Sequence, residues 1–170
     1  MNNIRYGSTS DAKRLAQLGA QTFYDTFSDE NSEKDMLLHL EKTYSLEIQL
    51  RELIDPNVIY IVAEADSEIV GYAKLQLNSH DDSVQDKRTI EIERIYSAKE
   101  YIGKGVGKDL MQSCINEARQ RECDSIWLGV WENNPRAIAF YKKWGFQEVG
   151  EHVFMLGEGP QRDIIMKLDF

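Results

Sequence analysis

Gly103-Lys104-Gly105-Val106-Gly107-Lys108 sets three glycines on alternate positions with two lysines among them. The run lies between an apolar strand-like stretch, Ile90 to Tyr96, and a helix-like stretch that begins near Gly105. Glycines on alternate positions leave backbone N–H groups accessible. A helix start adds unpaired N–H donors and the positive end of its dipole. The chemistry this suits is the holding of an anion, a phosphate or pyrophosphate above all.

Three classes of glycine loop hold phosphates. A nucleoside triphosphate loop needs G-x-x-x-x-G-K-[ST]; aligning Gly107-Lys108 puts Ile102 at the first glycine and Asp109 at the magnesium-binding hydroxyl, so both positions fail. A dinucleotide loop needs G-x-G-x-x-G early in a βαβ unit. Here Gly103-x-Gly105 is followed by Lys108 at the third position, and the loop comes late in the chain. The third class is a coenzyme A loop, and it depends on what surrounds the glycines.

The elements around the loop follow from periodicity. Ile4 to Tyr6 reads as a first strand. Ser10 can cap a helix running to about Phe27, with Leu15, Leu18, Gly19, Thr22 and Phe23 on one side. Ser32 opens a second helix through Met36, Leu37 and Leu40, and a third runs from about Leu46 to Ile54 and stops at Asp55-Pro56. The period then changes to that of strands. Val58 to Ala63 and Ile69 to Leu77 form a hairpin across Asp66-Ser67-Glu68. Residues 78–87 are polar and read as a loop. Thr89 to Tyr96 alternates, with Ile90, Ile92 and Tyr96 on one face and Glu91, Glu93 and Ile95 on the other. After the loop come a helix to about Arg121, a strand from Ser125 to Trp131, and a helix opened by Pro135 and ended by Gly145. Phe146 to Met155 and Asp163 to Leu168 complete the set as strands. The order predicts a single mixed α/β domain over residues 1–170.

Composition narrows the partners. The net charge of −9 disfavours nucleic acid, which needs a basic face. No apolar run is long enough to span a bilayer, and the start of the chain lacks the apolar stretch of a secretory signal, so a cytoplasmic protein without a membrane partner is expected. Cys114 and Cys123 lie far from any histidine cluster, which predicts no metal, and Cys114 shares a helix face with Leu110, Met111 and Ala118. From Asp25 to Asp55 nine acids face three bases. Solvated helix faces explain such a stretch, and an acidic rim drawing a cationic substrate is the functional alternative.

Two motifs in order carry a resemblance. Ile102-Gly103-Lys104-Gly105-Val106-Gly107 resembles the [QR]-x-x-G-x-[GA] loop of the GCN5-related N-acetyltransferases, departing from it at Ile102. Asn134-Pro135-Arg136-Ala137-Ile138-Ala139-Phe140-Tyr141-Lys142-Lys143-Trp144-Gly145-Phe146 resembles that family's second signature, one helix and one strand further on. Within the family, Thr22 to Phe27, Glu91 to Tyr96, Ile126 to Glu132, His152-x-Phe154-x-x-Gly157 and Asp163 to Met166 are similar to PaiA-like polyamine acetyltransferases.

The resemblance implies a mostly antiparallel, twisted sheet of about seven strands, splayed between the fourth and fifth and flanked by helices. It implies transfer of acetyl from acetyl-CoA to a primary amine, a polyamine such as spermidine or spermine, by direct attack in a ternary complex. It gives Glu93 as a base acting directly or through water, and Tyr141 as the acid for the departing thiolate. For Glu93 and Glu91 the structural alternative is pairing with Arg94 or Lys87. The backbone of Ile95, Tyr96 and Ser97 would bond the pantetheine. Gly103, Lys104, Gly105, Val106, Gly107 and Lys108 would cradle the pyrophosphate, with Asn134 and Lys143 as further contacts. Phe23, Tyr24, Asp25, Trp131 and Glu132 would form the acceptor side. A homodimer is compatible with the family. Transfer to a protein N-terminus, a lysine or an aminoglycoside, and a non-catalytic acyl-CoA-binding regulatory module, are the alternative readings.

Overall fold

The computed structural model describes residues 2–170. Among these, seven strands form one sheet: β1 (Asn3–Tyr6), β2 (Val58–Ala65), β3 (Glu68–Leu77), β4 (Thr89–Ser97), β5 (Ser125–Trp131), β6 (Gln147–Leu156) and β7 (Gly159–Asp169). Five α-helices accompany them: α1 (Ala12–Phe27), α2 (Glu33–Tyr44), α3 (Leu46–Ile54), α4 (Val106–Gln120) and α5 (Pro135–Lys143). The strand order is β1-β2-β3-β4-β5-β7-β6, antiparallel throughout except for the parallel pair β4–β5. No helix among the described residues is long and apolar enough to cross a membrane.

The parallel pair is short. β4 and β5 are in register only at Thr89↔Ser125, Ile90↔Ile126 and Glu91↔Trp127. Beyond that point the strands part, as expected for a sheet splayed between its fourth and fifth strands. The sheet stays closed elsewhere because β7 runs along β5 from Asp169 to Asp163, and β6 runs along β7.

Two layers cover the sheet. On one face α4 buries Leu110, Met111 and Cys114 against Ala73, Leu75, Ile90, Ile126 and Leu128. On the other, α1 lays Leu15 and Leu18 on Tyr60, Val62 and Tyr72. Further along that face Phe23, Phe27, Met36 and Tyr44 close over Trp131 and Leu156. Each fully buried side chain of this size contributes about 1.5–3 kcal/mol.

Three sequence expectations shift. The first concerns the cap of α1: Ser10 bonds to the Ser8 hydroxyl, and the Asp11 carboxylate accepts from the Ser8 N–H at 2.8 Å across a short 3₁₀ turn. The second concerns β7, which begins at Gly159 rather than Asp163. Pro160 is tolerated because it lies beyond the register with β5 and faces only Met155 of β6. The third concerns β4. Lys74 faces Arg94 and Leu75 faces Ile92, so Glu93 is an extra residue with no β3 partner. This bulge re-phases the strand. Ile95 joins Ile90 and Ile92 on the α4 face, whereas Tyr96 turns to the α1 face and packs edge-on to Tyr72 at 5.9 Å. The strict alternation expected for this strand placed both on the wrong sides.

Candidate active site

The parting of β4 from β5 opens a cavity of about 1120 Å³. Its walls come from β4, the glycine loop, the starts of α4 and α5, the ends of β5 and β7, and α1 and α2. At one end the donors are backbone groups. Ile95, Tyr96 and Ser97 pair with β3 on one side through Ala73, Tyr72 and Gly71. Their other edge has no β5 register partner, so it can accept an added extended chain.

The glycine loop continues from this edge. Gly103 and Gly105 have φ of +81° and +88°, a left-handed backbone that costs other residues about 1–2 kcal/mol. Gly105 is the N-cap of α4, and the N–H groups of the first turn, Val106 to Lys108, lack partners within the helix. Gly103, Gly105, Gly107 and Lys108 line the cavity, joined by Lys99 and by Arg136 at the start of α5. Lys99 and Arg136 are cations the sequence reading passed over, because each reads as an ordinary surface charge in its own element.

Other expected cofactor contacts are placed differently. The Val106 side chain is fully buried in the α4 core, which leaves only its N–H for a ligand. Lys104 lies over the Tyr101 ring, 5.0 Å from its centroid, and is outside the cavity wall. Lys143 is exposed at the far end of α5 and does not line the cavity. Asn134 does line it, but its side chain caps α5 by accepting from the Ala137 N–H at 3.2 Å.

At the other end the walls are side chains. Phe23, Phe27, Tyr44 and Trp131 are buried around His39, which stacks on Phe23 at 4.3 Å and meets Phe154 edge-on at 5.4 Å. Burial, with Arg94 and Lys42 nearby, lowers His39 to about 4, so the ring is neutral at pH 7. Asp25 lines this end; Tyr24 points away and is exposed, and Glu132 is held outside by Arg162 at 2.7 Å. Neither Tyr24 nor Glu132 is part of the wall.

Glu93 reaches the cavity from the bulge, within 2.7 Å of Lys74 and 3.6 Å of Arg94. The expected pairing with Arg94 is present, and Lys74 takes the place proposed for Lys87. Lys74 and Arg94 also share Glu52, at 2.8 and 3.1 Å. Burial opposes the charge of Glu52, but Arg94 and Lys74 outweigh it and hold the carboxyl below its ordinary range. Tyr141 lines the cavity from α5; burial, then the Tyr96 phenol, raises its pKa, so it keeps its proton at neutral pH.

Three floor residues carry titratable groups: Asp163 and His152, which stand in the sequence only as parts of family-like segments, and Glu91, weighed above beside Glu93. Asp163 on β7 stands in register with Trp131 of β5 and with His152 of β6. Its carboxylate lies over Gly129, where an added Cβ would sit 3.2 Å from Asp163 Oδ2. Burial raises Asp163 to about 6, the nearby His152 acting in the opposite sense. Glu91 is also raised by burial, its Ser79 hydrogen bond opposing. One signal was available: a histidine and an aspartate on strands joined by a tight hairpin fall into register once the turn is fixed.

Residues 20–146 match the Acetyltransferase (GNAT) family. An uncharacterized N-acetyltransferase in the pepI 3′ region of Lactobacillus delbrueckii subsp. lactis is 35% identical over 160 residues, 94% of this chain and 92% of that protein. A spermine/spermidine N(1)-acetyltransferase of Bacillus subtilis is 32% identical over 87 residues, 51% of this chain and 57% of that protein. The crystal structure of a PaiA N-acetyltransferase from Thermoplasma acidophilum, in complex with coenzyme A, superposes with a TM-score of 0.81 at 22% identity, covering 100% of this chain and 99% of that one. This chain belongs to the GNAT acetyltransferase family. It is an N-acetyltransferase by family, with a mixed sheet as that family has.

Proposed function

We propose that this protein, acting as one acetyltransferase domain, transfers acetyl from acetyl-CoA to a primary amine of a polyamine such as spermidine or spermine. The polarity of the cavity carries this reading. Its glycine-loop end gathers Lys99, Lys108 and Arg136, and its acceptor end gathers Asp25, Glu91, Glu93 and Asp163. A pyrophosphate suits the first and a multiply charged ammonium chain suits the second. Aromatic walls cover methylenes and favour cations over their faces. The Bacillus subtilis relative, a spermine/spermidine N(1)-acetyltransferase, supports the same acceptor class.

The residues fit coenzyme A as co-substrate. The open edge of β4 can bond an extended pantetheine, and the left-handed glycines with the start of α4 can take the pyrophosphate. When bound, acetyl-CoA supplies an acetyl group activated as a thioester. The chain's own tasks are to remove a proton from the amine and to supply one to the departing sulfur. An alkyl ammonium has a pKa of about 10.4, so it arrives protonated. Glu93, carried into the cavity by the bulge, takes that proton through a water. Tyr141, kept protonated by burial, gives one to the sulfur.

A turnover assay with acetyl-CoA across spermidine, spermine, amino acids, aminoglycosides and peptides tests the reading. Polyamines are expected to give the highest kcat/KM. A preference of tenfold or more for a peptide or aminoglycoside overturns the polyamine acceptor, and tight acetyl-CoA binding without turnover overturns transfer.

A further inference from the structure

Glu93 shares its carboxylate with two cations, and Asp163 has neither Lys nor Arg beside it. Asp163 is largely buried, with a side-chain exposure of 14%. Among the described residues its basic partner within 4 Å is His152, whose Nε2 stands 3.6 Å from Asp163 Oδ2. The other ring nitrogen, Nδ1, lies 3.1 Å from Asp81 Oδ2. Asp81 comes from the loop between β3 and β4 and is itself fixed by the Ser83 N–H at 2.8 Å. That loop is anchored to the sheet by Val84, buried against Trp127 and Ile165. One hairpin and a loop far from it in sequence therefore build a row: carboxylate, imidazole, carboxylate. One end faces the cavity. The imidazole in the middle keeps a side-chain exposure of 38%, which gives it contact with solvent.

We propose that Asp163 is a second general base of the acceptor half of the cavity, and that His152, positioned by Asp81, carries the amine proton from it to solvent. The proposal rests on the acetyl-transfer reading and adds to the water-mediated role of Glu93. The proton balance is simple. The acceptor ammonium gives one proton to the Asp163 carboxylate and becomes the neutral amine. Asp163, now a carboxylic acid, passes that proton to His152 Nε2 and returns to carboxylate. The imidazolium, its Nδ1–H held by Asp81, releases the proton from Nε2 to water.

The geometry suits this task. Asp81 fixes the tautomer: Nδ1–H donates to it, which leaves Nε2 free to accept. Burial weighs against the charge of Asp81, but the Ser83 and His152 hydrogen bonds outweigh it, and its carboxyl stays below the ordinary range. Asp163, with burial dominant, is pushed up to about 6, close to where a general base works best at neutral pH. The other titratable and charged groups of this end are Asp25 from α1, Glu91, Glu93, Arg94 and Tyr96 from β4, His39 and Tyr44 from α2, and Tyr141 from α5. Arg94 is engaged with Glu52, and His39 is neutral at pH 7. A simply structural carboxylate would be expected to have a permanent cation, and none of these supplies one to Asp163.

The test is the pH dependence of kcat at saturating spermidine, in the full chain, for wild type, Asp163→Asn and His152→Gln. In wild type kcat is expected to fall below about pH 6 as Asp163 takes up a proton. Asp163→Asn is expected to lower kcat at pH 7.5 by about tenfold or more and to abolish that acid limb. His152 holds the Asp163 value down, so His152→Gln is expected to move the limb to higher pH with a smaller loss of rate. Coenzyme A affinity, read by calorimetry, should stay within about twofold in both, which also reports that the variants are folded. An Asp163→Asn enzyme with kcat within about twofold of wild type and an unmoved limb overturns the proposal. So does a His152→Gln limb that stays in place. Wild type that binds acetyl-CoA and turns over no amine overturns the transfer reading itself, which is a different result.

Discussion

The two ends of the cavity are made of different material. The cofactor end is built from backbone: an unpaired strand edge, left-handed glycines and the first turn of α4. The acceptor end is built from side chains that reach it from α1, α2, β4, β5, β6 and β7. Backbone sites demand little of side-chain identity beyond the glycines, which is how Ile102 can stand where a Gln or Arg is usual. Side-chain sites demand coincidence among distant residues. The first kind tolerates drift and holds one ligand, whereas the second can change its ligand by changing a few positions.

That contrast can be broken or sharpened by substitution. The largest effect is expected at Tyr141. Tyr141→Phe should lower kcat by about a hundredfold to a thousandfold with coenzyme A affinity unchanged, since a lost proton donor removes a general acid and little binding. Equal losses of rate and coenzyme A affinity would mean that the residue belongs to the wall and not to the chemistry.

Next comes the support of the floor. Glu52 lies between Lys74 and Arg94, whose side chains are only 4% and 6% exposed. Glu52→Gln leaves two buried cations short of a partner and should cost about 3 kcal/mol or more in urea unfolding. A loss under about 1 kcal/mol would show that Glu93 alone can hold both.

Asp163 should behave in the opposite sense. Its folded value, raised from 3.8 to about 6, means that the folded state disfavours the charge. That contribution is neutral below about pH 4, becomes a cost that grows as pH rises from about 4 to about 6, and stays at its full size above that. Asp163→Asn should therefore be more stable than wild type at pH 8, by about 3 kcal/mol, and equal to it near pH 4. A variant more stable and less active is the signature of a group retained for function at the expense of the fold.

The smallest effects are expected at the cofactor end. Gly105→Ala, at φ +88°, should lose about 1 kcal/mol of stability and weaken coenzyme A several-fold. Lys104→Ala should change coenzyme A affinity by less than about twofold, because Lys104 leans on Tyr101 instead of facing the cavity. A large loss at Lys104 would mean that the loop is more dependent on side chains than its geometry shows.

The same contrast governs what could be read in the sequence. The strand-loop-helix order around Gly103 to Gly107 and the capped helix from Asn134 were legible, because each is local and each residue type has a local cause. Glu93 and Tyr141, expected from the motifs they sit in, both line the cavity. Tyr24 and Glu132 were placed in the wall because they neighbour Phe23 and Trp131, yet adjacent residues on a helix or strand point in different directions. Asp163 with His152 and Asp81 could not be seen, since their meeting depends on the β6–β7 turn and on how residues 78–88 fold back. The bulge was equally hidden: Ile92-Glu93-Arg94-Ile95 carries no glycine or proline to mark it.

That unmarked residue has a consequence for how the strand can vary between relatives. Glu93 is an inserted letter in a message read in pairs, and the bulge lets the reader skip it, so the residues after it keep their places opposite β3. Deleting it would bring Arg94 directly after Ile92 and leave Ile95 opposite Ala73 and Tyr96 opposite Tyr72, each on its present face, whereas keeping it in a regular ladder opposite Lys74 would turn Ile95 toward the acceptor and Tyr96 into the α4 core. Replacing its side chain would leave the phase intact. A strand one residue shorter here could therefore keep both of its faces and lose only the carboxylate that the bulge carries into the cavity.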